Sequence, residues 1–255
     1  MSEAAALEHH LRTLLASVEV ARRVVVLEAC ASTQDEAAAR AAGQPGLMVL
    51  ALRQTAGRGR LGRAWAHSEQ GLAATFALPG EIASARLSMA AGLAALHACA
   101  ASIPEPAGLG LRWPNDVVQR DAIARKVAGV LIERRDGVAL AGFGINVRQA
   151  AADFPTDLAA RACSLAMLGS ASGVADVAVV LALCLRDALA YSDETLRRVW
   201  QSHDVLLGRD ATFEHHGARV SGHVEAIDPT GAIRMRLPDG EKRDLPAETT
   251  SLVLD

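Results

Sequence analysis

Two apolar runs, Leu47–Leu52 and Leu72–Leu78, read as strands, and a long polar loop reaching to about Gln70 separates them. Within it stands Gly57-Arg58-Gly59-Arg60-Leu61-Gly62-Arg63, the segment that most narrows what the chain can build. Three glycines let the backbone take positive φ or come close to a ligand. Three arginines present planar forks matched to phosphate or carboxylate. Each hydrogen bond to a charged group contributes about 1.5–3 kcal/mol, so two or three hold a polyanion firmly. A solvated basic turn is the alternative use of such a segment. Gly57, Gly59 and Gly62 also match the spacing of a dinucleotide fingerprint, but that motif opens a helix. The residues that follow, Ala64 to Gly71, are too short and too soon interrupted by glycine for one. No G-x-x-x-x-G-K-[ST] or G-x-S-x-G occurs, which removes P-loop and serine-hydrolase readings.

Around the loop, strands and helices follow one another. A helix over about 3–17 precedes a strand at Arg22–Leu27. Ser32-Thr33-Gln34-Asp35-Glu36 then has the form of a helix start, with hydroxyl side chains available as N-cap and acids in the first turn. Gly43-Gln44-Pro45-Gly46 ends that helix. An apolar helix covers about 83–101, strands lie near Leu109–Trp113, Val127–Glu133 and Val138–Gly144, and helices near 173–190 and 193–203. From Leu206 the texture changes to short strand-like runs at Thr212–His215, Ala218–Ile227, Ala232–Leu237 and Ser251–Leu254. Asp228-Pro229-Thr230-Gly231 and Pro238-Asp239-Gly240 are turns between them. An all-β unit of about 50 residues is too small for much core of its own, so it should lean on the larger part.

Composition narrows the class. A net charge of −3 argues against a protein dominated by nucleic-acid binding. Hydrophobic residues are 51% of the chain, yet no run approaches the roughly 18–20 apolar residues of a membrane helix. The first eighteen residues carry Glu3, Glu8, His9, His10 and Arg12, unlike a signal peptide, and the expected compartment is the cytoplasm. Cys30, Cys99, Cys163 and Cys184 form no C-x-x-C pair and read as reduced, mostly buried thiols. His215-His216, on a strand, would point to opposite faces, so no protein-built metal site is expected.

Only Lys126 and Lys242 among the 26 basic residues are lysines. Lys126 immediately precedes the apolar run Val127-Ala128-Gly129-Val130-Leu131-Ile132, where an ammonium must be paired or its pKa falls. An anionic substrate is one partner; snorkelling to water is the alternative. Trp113-Pro114-Asn115-Asp116 presents an amide and a carboxylate at a strand exit. Gly142-Phe143-Gly144-Ile145-Asn146 exposes backbone to a ligand, or forms a β-bulge.

In order along the chain, Ser32-Thr33-Gln34, Gln54 to Trp65, Trp113 to Asp116, Arg125 to Glu133 and Gly144-Ile145-Asn146 resemble the biotin–protein ligases. The resemblance runs from about residue 22 to the C-terminus. It implies an α+β fold: a class II aminoacyl-tRNA-synthetase-like, biotin–lipoate ligase catalytic domain at 1–204 and an SH3-like β-barrel at 205–255. It implies an ATP-dependent, AMP-forming enzyme that makes biotinyl-5′-adenylate and transfers biotin to a lysine of a biotin carboxyl carrier protein domain. By position, Ser32, Thr33, Gln34, Gln54, Gly57, Arg58, Gly59, Arg60, Trp65, Lys126 and Gly142 would meet biotin. Arg58, Arg60, Arg63, Trp65, Asn115 and Asn146 would meet ATP, with Mg²⁺ brought by the nucleotide. Lys126, Arg60 and Asp116 would be catalytic, Asp116 steering the incoming amine. About 30 residues before Ser32 are too few for a helix-turn-helix domain, so no DNA partner and no membrane partner is expected, and the chain is a monomer or a homodimer. A lipoate or octanoate ligase of the same fold, and a non-enzymatic biotin-binding effector, are the competing readings.

Overall fold

The computed structural model describes residues 1–66, 68–121, 123–228 and 231–253. The helix α1 (Glu3–Leu14) leads into β1 (Arg23–Cys30), α2 (Thr33–Ala41) and β2 (Leu47–Gln54), with β1 and β2 parallel. After the arginine–glycine loop come β3 (Gly71–Pro79), α3 (Ser84–Ala100), β4 (Leu109–Arg112), β5 (Asp116–Gln119), β6 (Lys126–Arg135) and β7 (Val138–Asn146). These strands form one seven-stranded sheet in the order β1-β2-β3-β7-β6-β5-β4, antiparallel beyond the first pair. Helices α4 (Val174–Ala190) and α5 (Asp193–His203) follow.

The period-2 alternation of strands divides the sheet into two unlike faces. One face carries Leu72, Ala74, Phe76, Val130 and Phe143 into a single large core with α3 and α4. Helix α3 is buried by the sheet on one side and by α4 on the other, which accounts for its unbroken apolar sequence. The opposite face is lighter. There Ala37, Ala38 and Ala41 of α2 pack on Leu47, Val49, Ala77, Val138 and Leu140, and small alanines let the helix sit close.

Both edges of this sheet are covered. Along β1, Glu8 of α1 accepts from Val26 N at 3.0 Å, and Glu28 accepts from Ala4 N at 3.1 Å. On β4, Leu111 O accepts from Val205 N at 2.8 Å.

The remaining strands are β8 (Asp210–His215), β9 (Ala218–Ile227), β10 (Ala232–Arg236), β11 (Lys242–Pro246) and β12 (Thr250–Leu252), an antiparallel sheet ordered β11-β10-β9-β8-β12. Its apolar residues Phe213, Val224, Ile227, Ile233, Met235 and Leu245 are continuous with the main core, and Phe213 meets Trp113 edge to face at 5.7 Å. The small unit does lean on the large one.

Several boundaries moved. The first strand runs on to Cys30, and two strands absent from the sequence reading, β5 and β11, are present. β5 is four residues long and β11 reads Lys-Arg-Asp-Leu-Pro, so neither offers an apolar run; pairing with neighbours makes them strands. Ser32 stands at the N-cap of α2, but its hydroxyl makes no cap bond. His216 lies in the β8–β9 turn with φ 50°, and its ring meets that of His215 at 4.3 Å instead of pointing away from it. Pro229, Thr230 and Leu254, placed in a turn and a strand by the sequence reading, lie outside the described residues.

Asp204, at the start of the crossing to the second sheet, accepts from Leu206 N and Leu207 N at 2.7 Å each. Burial nevertheless pushes its carboxyl up to about 6, above the ordinary 3.8. Raised in the folded state, this group favours folding below pH 3.8, and that advantage is lost as pH rises through 6. Asp204→Asn should therefore stabilise the protein at pH 7.5 by up to about 3 kcal/mol and make no difference near pH 3.5. Chemical denaturation at the two pH values measures it; equal shifts at both would refute the assignment.

Candidate functional site

Missing side chains make the site. On the lighter face of the sheet, Gly129 of β6 lies opposite Gly144 of β7, Leu131 opposite Gly142, and the row continues to Ala73 and Thr75 of β3. Three glycines on one face across two strands leave a hollow between sheet and loop. The space is in use. A Cβ at Gly144 would meet the Trp65 indole at 2.2 Å, and one at Gly142 the Gln34 amide at 2.7 Å. The cleft over this floor encloses about 850 Å³, including its open mouth.

The arginine–glycine loop forms the roof. It is a tight hairpin: Trp65 N donates to Gly57 O at 2.9 Å, Gly59 N donates to Arg63 O at 2.7 Å, and Arg60–Gly62 makes a 3-10 turn. Among its glycines only Gly62 has positive φ, 74°; Leu61 takes the other left-handed position at 54° and stands exposed at the tip. Gly57 has a different use, because a Cβ there would meet Gln54 at 2.5 Å and Trp65 O at 2.7 Å. It packs the base of the hairpin and does not line the cleft.

The polar corner comes from α2 and β2. Gln54 Oε1 accepts from Thr33 N at 2.9 Å and from the Thr33 hydroxyl at 3.1 Å, and the Thr75 hydroxyl donates to Thr33 Oγ1 at 2.9 Å. Gln34 Nε2 donates to Leu131 O at 2.9 Å, while Gln34 Oε1 is buried with no hydrogen-bond partner among the described residues. A buried orphan acceptor costs about 1–3 kcal/mol unless something fills it, so this corner suits an N–H donor. Ser32 completes the corner.

The other end is charged. Lys126 Nζ lies 2.6 Å from Asp116 Oδ1 and 5.3 Å from the centre of the Trp65 ring. Arg112 Nη2 holds Asp116 Oδ2 at 3.0 Å. Burial alone would raise the Asp116 carboxyl; Lys126 and Arg112 outweigh it and hold the group below its ordinary value. The lysine's expected anionic partner is thus present within the protein.

The three loop arginines have separate fates. Arg58 is held in a fork by Asp35, at 2.8 and 2.9 Å, and reaches Glu133 at 3.3 Å. Arg60 donates to Ala247 O, to Thr250 O at 3.1 Å and to Asn115 Oδ1 at 3.4 Å, and burial lowers its pKa. Arg63 is exposed and makes no ion pair among the described residues.

Nearly all the residues singled out in the sequence converge: Ser32, Thr33, Gln34, Gln54, Arg58, Gly59, Arg60, Arg63, Trp65, Asn115, Asp116, Lys126 and Gly142 line this one cleft. Asn146 does not. It lines a second cavity that continues past Arg63, Trp65 and Lys126, and its amide donates to Lys126 O at 3.3 Å and Cys163 O at 3.1 Å. Sequence reasoning missed Gly129, Leu131, Arg112 and Ser251, the last contributed by the C-terminal sheet. Gly129 could have been suspected from its place three residues after Lys126, but only strand register puts it opposite Gly144.

Comparison with known proteins agrees with this arrangement. The profile of the Biotin/lipoate A/B protein ligase family matches residues 29–149. A biotin–[acetyl-CoA-carboxylase] ligase of Paracoccus denitrificans is 33% identical over 227 residues, 83% of this chain and 93% of that protein. The bifunctional ligase/repressor BirA of Bacillus subtilis (strain 168) is 30% identical over 212 residues, and the chain spans 64% of its length, under two thirds. In fold, the chain is similar to the biotin protein ligase of Aquifex aeolicus in complex with biotin and ATP. That similarity has a TM-score of 0.78 and 24% identity, over 92% of this chain and 100% of the other.

Asp116→Asn leaves Lys126 and Arg112 facing each other without the carboxylate between them. Breaking such a buried pair should destabilise the protein by about 3 kcal/mol in urea titration. A loss below about 0.5 kcal/mol, the range of a surface pair, would mean the trio carries no structural weight.

Proposed function

The chain belongs to the biotin protein ligase family, and we propose that it activates biotin with ATP and passes it to one lysine of a biotin carboxyl carrier domain. The observation that carries the reading to this cleft is the pairing of the unfilled Gln34 carbonyl oxygen with Lys126 on the same glycine floor. A ligand with N–H donors at one end, an apolar body and a carboxylate at the other fits that sequence of surfaces, and biotin's ureido ring, bicycle and valeryl chain have those features. Ser32, Thr33 and Gln54 complete the polar corner; Trp65 and the floor take the apolar body.

In the first step a biotin carboxylate oxygen attacks the α-phosphorus of ATP. The bond from that phosphorus to the β-phosphate's bridging oxygen breaks, and pyrophosphate leaves. In the second, the carrier's amine attacks the acyl carbon, the bond to the phosphate oxygen breaks, AMP leaves and a proton goes to solvent. Lys126 sits beside the carboxylate and polarises the acyl oxygen in the second step, a compact charge acting in a partly dry cleft. Asp116 is assigned to orienting that ammonium and not, as expected from position, to steering the amine, because both its oxygens are already engaged. Arg60 is held by neutral acceptors that leave its charge uncancelled, and with Arg63 it neutralises the phosphates from the roof, while Asn146 lies beside the nucleotide in the adjoining cavity. ATP enters as its Mg²⁺ complex, the ion carried by the phosphates. Residues 1–204 hold the reactants in this reading, and 205–255 close the cleft through Ser251 and the Arg60 contacts.

Incubation with ATP, Mg²⁺ and labelled biotin should release pyrophosphate only when biotin is present, and label a carrier domain when one is added. Release driven by lipoate, or binding without turnover, would replace this reading by one of its rivals. Lys126→Ala should lower adenylate formation by about 10³-fold with the protein still folded; turnover at the wild-type rate would remove the lysine from the chemistry. Arg60→Gly should let the intermediate escape and label bystander proteins; labelling confined to the carrier would show that Arg60 does not retain it.

A further inference from the structure

The cleft is bounded at its polar corner by a ring of four charges that the proposed chemistry does not use. Asp35 sits in the first turn of α2, Arg58 on the rising limb of the loop, and Glu133 and Arg135 on one face of β6. Arg58 grips Asp35 with two parallel bonds and touches Glu133 at 3.3 Å; Arg135 closes the ring, reaching Asp35 at 2.6 Å and Glu133 at 2.9 Å. Single exposed ion pairs contribute little, but a closed, bidentate network is the exception. Arg58's bonds hold the Asp35 carboxyl down at about 2, so the ring stays charged through the neutral range.

We propose that Asp35 and Glu133 are positioning residues for the arginine–glycine loop, and that the Arg58 guanidinium is the loop's tether to α2 and β6, leaving only the Arg58 backbone to face the cleft. Two facts support the division of labour. First, both terminal nitrogens of Arg58 are committed to protein carboxylates, whereas Arg63, five residues on, is exposed and makes no ion pair among the described residues. Second, Asp35 follows Gln34 directly, so the same ring fixes the corner that holds the unfilled acceptor and the hairpin that roofs it. The loop is thus fastened on its rising limb at Arg58 and again at Arg60 on the C-terminal sheet, leaving the exposed Arg63 side chain at the tip to face the reactants. Loosening the tether should weaken the hold on biotin and on the adenylate while leaving the Lys126 end of the cleft in place.

The test uses the near-isosteric double variant Asp35→Asn/Glu133→Gln in the full chain. Hydrogen exchange over residues 57–65 of the free protein should accelerate by about tenfold while the central strands keep their protection. Unchanged loop exchange would overturn the tether. Glu36→Gln, which breaks only the neighbouring Arg40 pair outside the ring, should leave loop exchange as it is. Equal acceleration there would assign the effect to helix charge and sink the proposal. In the biotin and ATP assay the double variant should raise the biotin KM by about tenfold, keep kcat within about twofold and release more adenylate. A fall in kcat at constant KM would overturn the positioning role. Arg58→Lys keeps the charge but loses the fork and should show the same exchange defect; wild-type exchange would contradict the bidentate hold. The kinetic half rests on the ligase reading and the exchange half does not: a wild type that makes no adenylate refutes the reading, while loop exchange still decides the tether.

Discussion

Gly129, Gly142 and Gly144 remove side chains from one face of two neighbouring strands, and the rest of the site is arranged around the space they leave. A sheet face normally presents alternating side chains to whatever packs on it. Here the Trp65 indole and the Gln34 amide lie where those side chains would be, which brings the loop and the start of α2 down onto the strand backbone. The opposite face is fully packed: Phe76, Phe143 and Val130 enter one core with α3 and α4, so the sheet keeps its shape without support from the cleft side.

The charges follow from that geometry. Lys126 begins β6 and faces the hollow, where removing an ammonium from water is expensive unless a partner is near. Asp116 arrives from the adjacent strand and is itself held by Arg112, so a positive, a negative and a positive group share one half-dry space. The cleft thereby keeps a cation at the end where the proposed substrate carboxylate would lie. At the far corner the same principle appears as neutral polarity, with the Thr33, Thr75 and Gln54 groups bonded to one another and the Gln34 oxygen left unfilled.

The C-terminal sheet is part of this system through packing and through backbone. Its core continues into that of the large sheet, and its β11–β12 connection accepts the Arg60 guanidinium. A unit of this size has too little interior to stand alone, and the surface it shares with the main body is also what brings Ser251 and the loop together. Arg60 and Arg58 therefore report on two different parts of the fold although they are two residues apart.

Much of this was legible in the chain. The apolar runs placed most strands and helices, since hydrophobic period is a local property, and the order of motifs from Ser32 to Asn146 pointed to the family. Glycine and arginine in the loop, and a rare lysine before an apolar run, marked residues that the fold brings to one cleft. What remained hidden depends on pairing. The strands β5 and β11 are too short or too charged to declare themselves. Which carboxylate meets which cation, the placing of Asn146 and Gly57 outside the main cleft, and the alignment of Gly129 with Gly144 were all decided by register and by the crossing of distant segments. A sequence states the chemistry each residue can offer and the period with which it recurs; only the folded chain brings residues a hundred positions apart within 3 Å, as it does Asp35 and Arg135, because that distance is set by packing and not by spacing along the backbone.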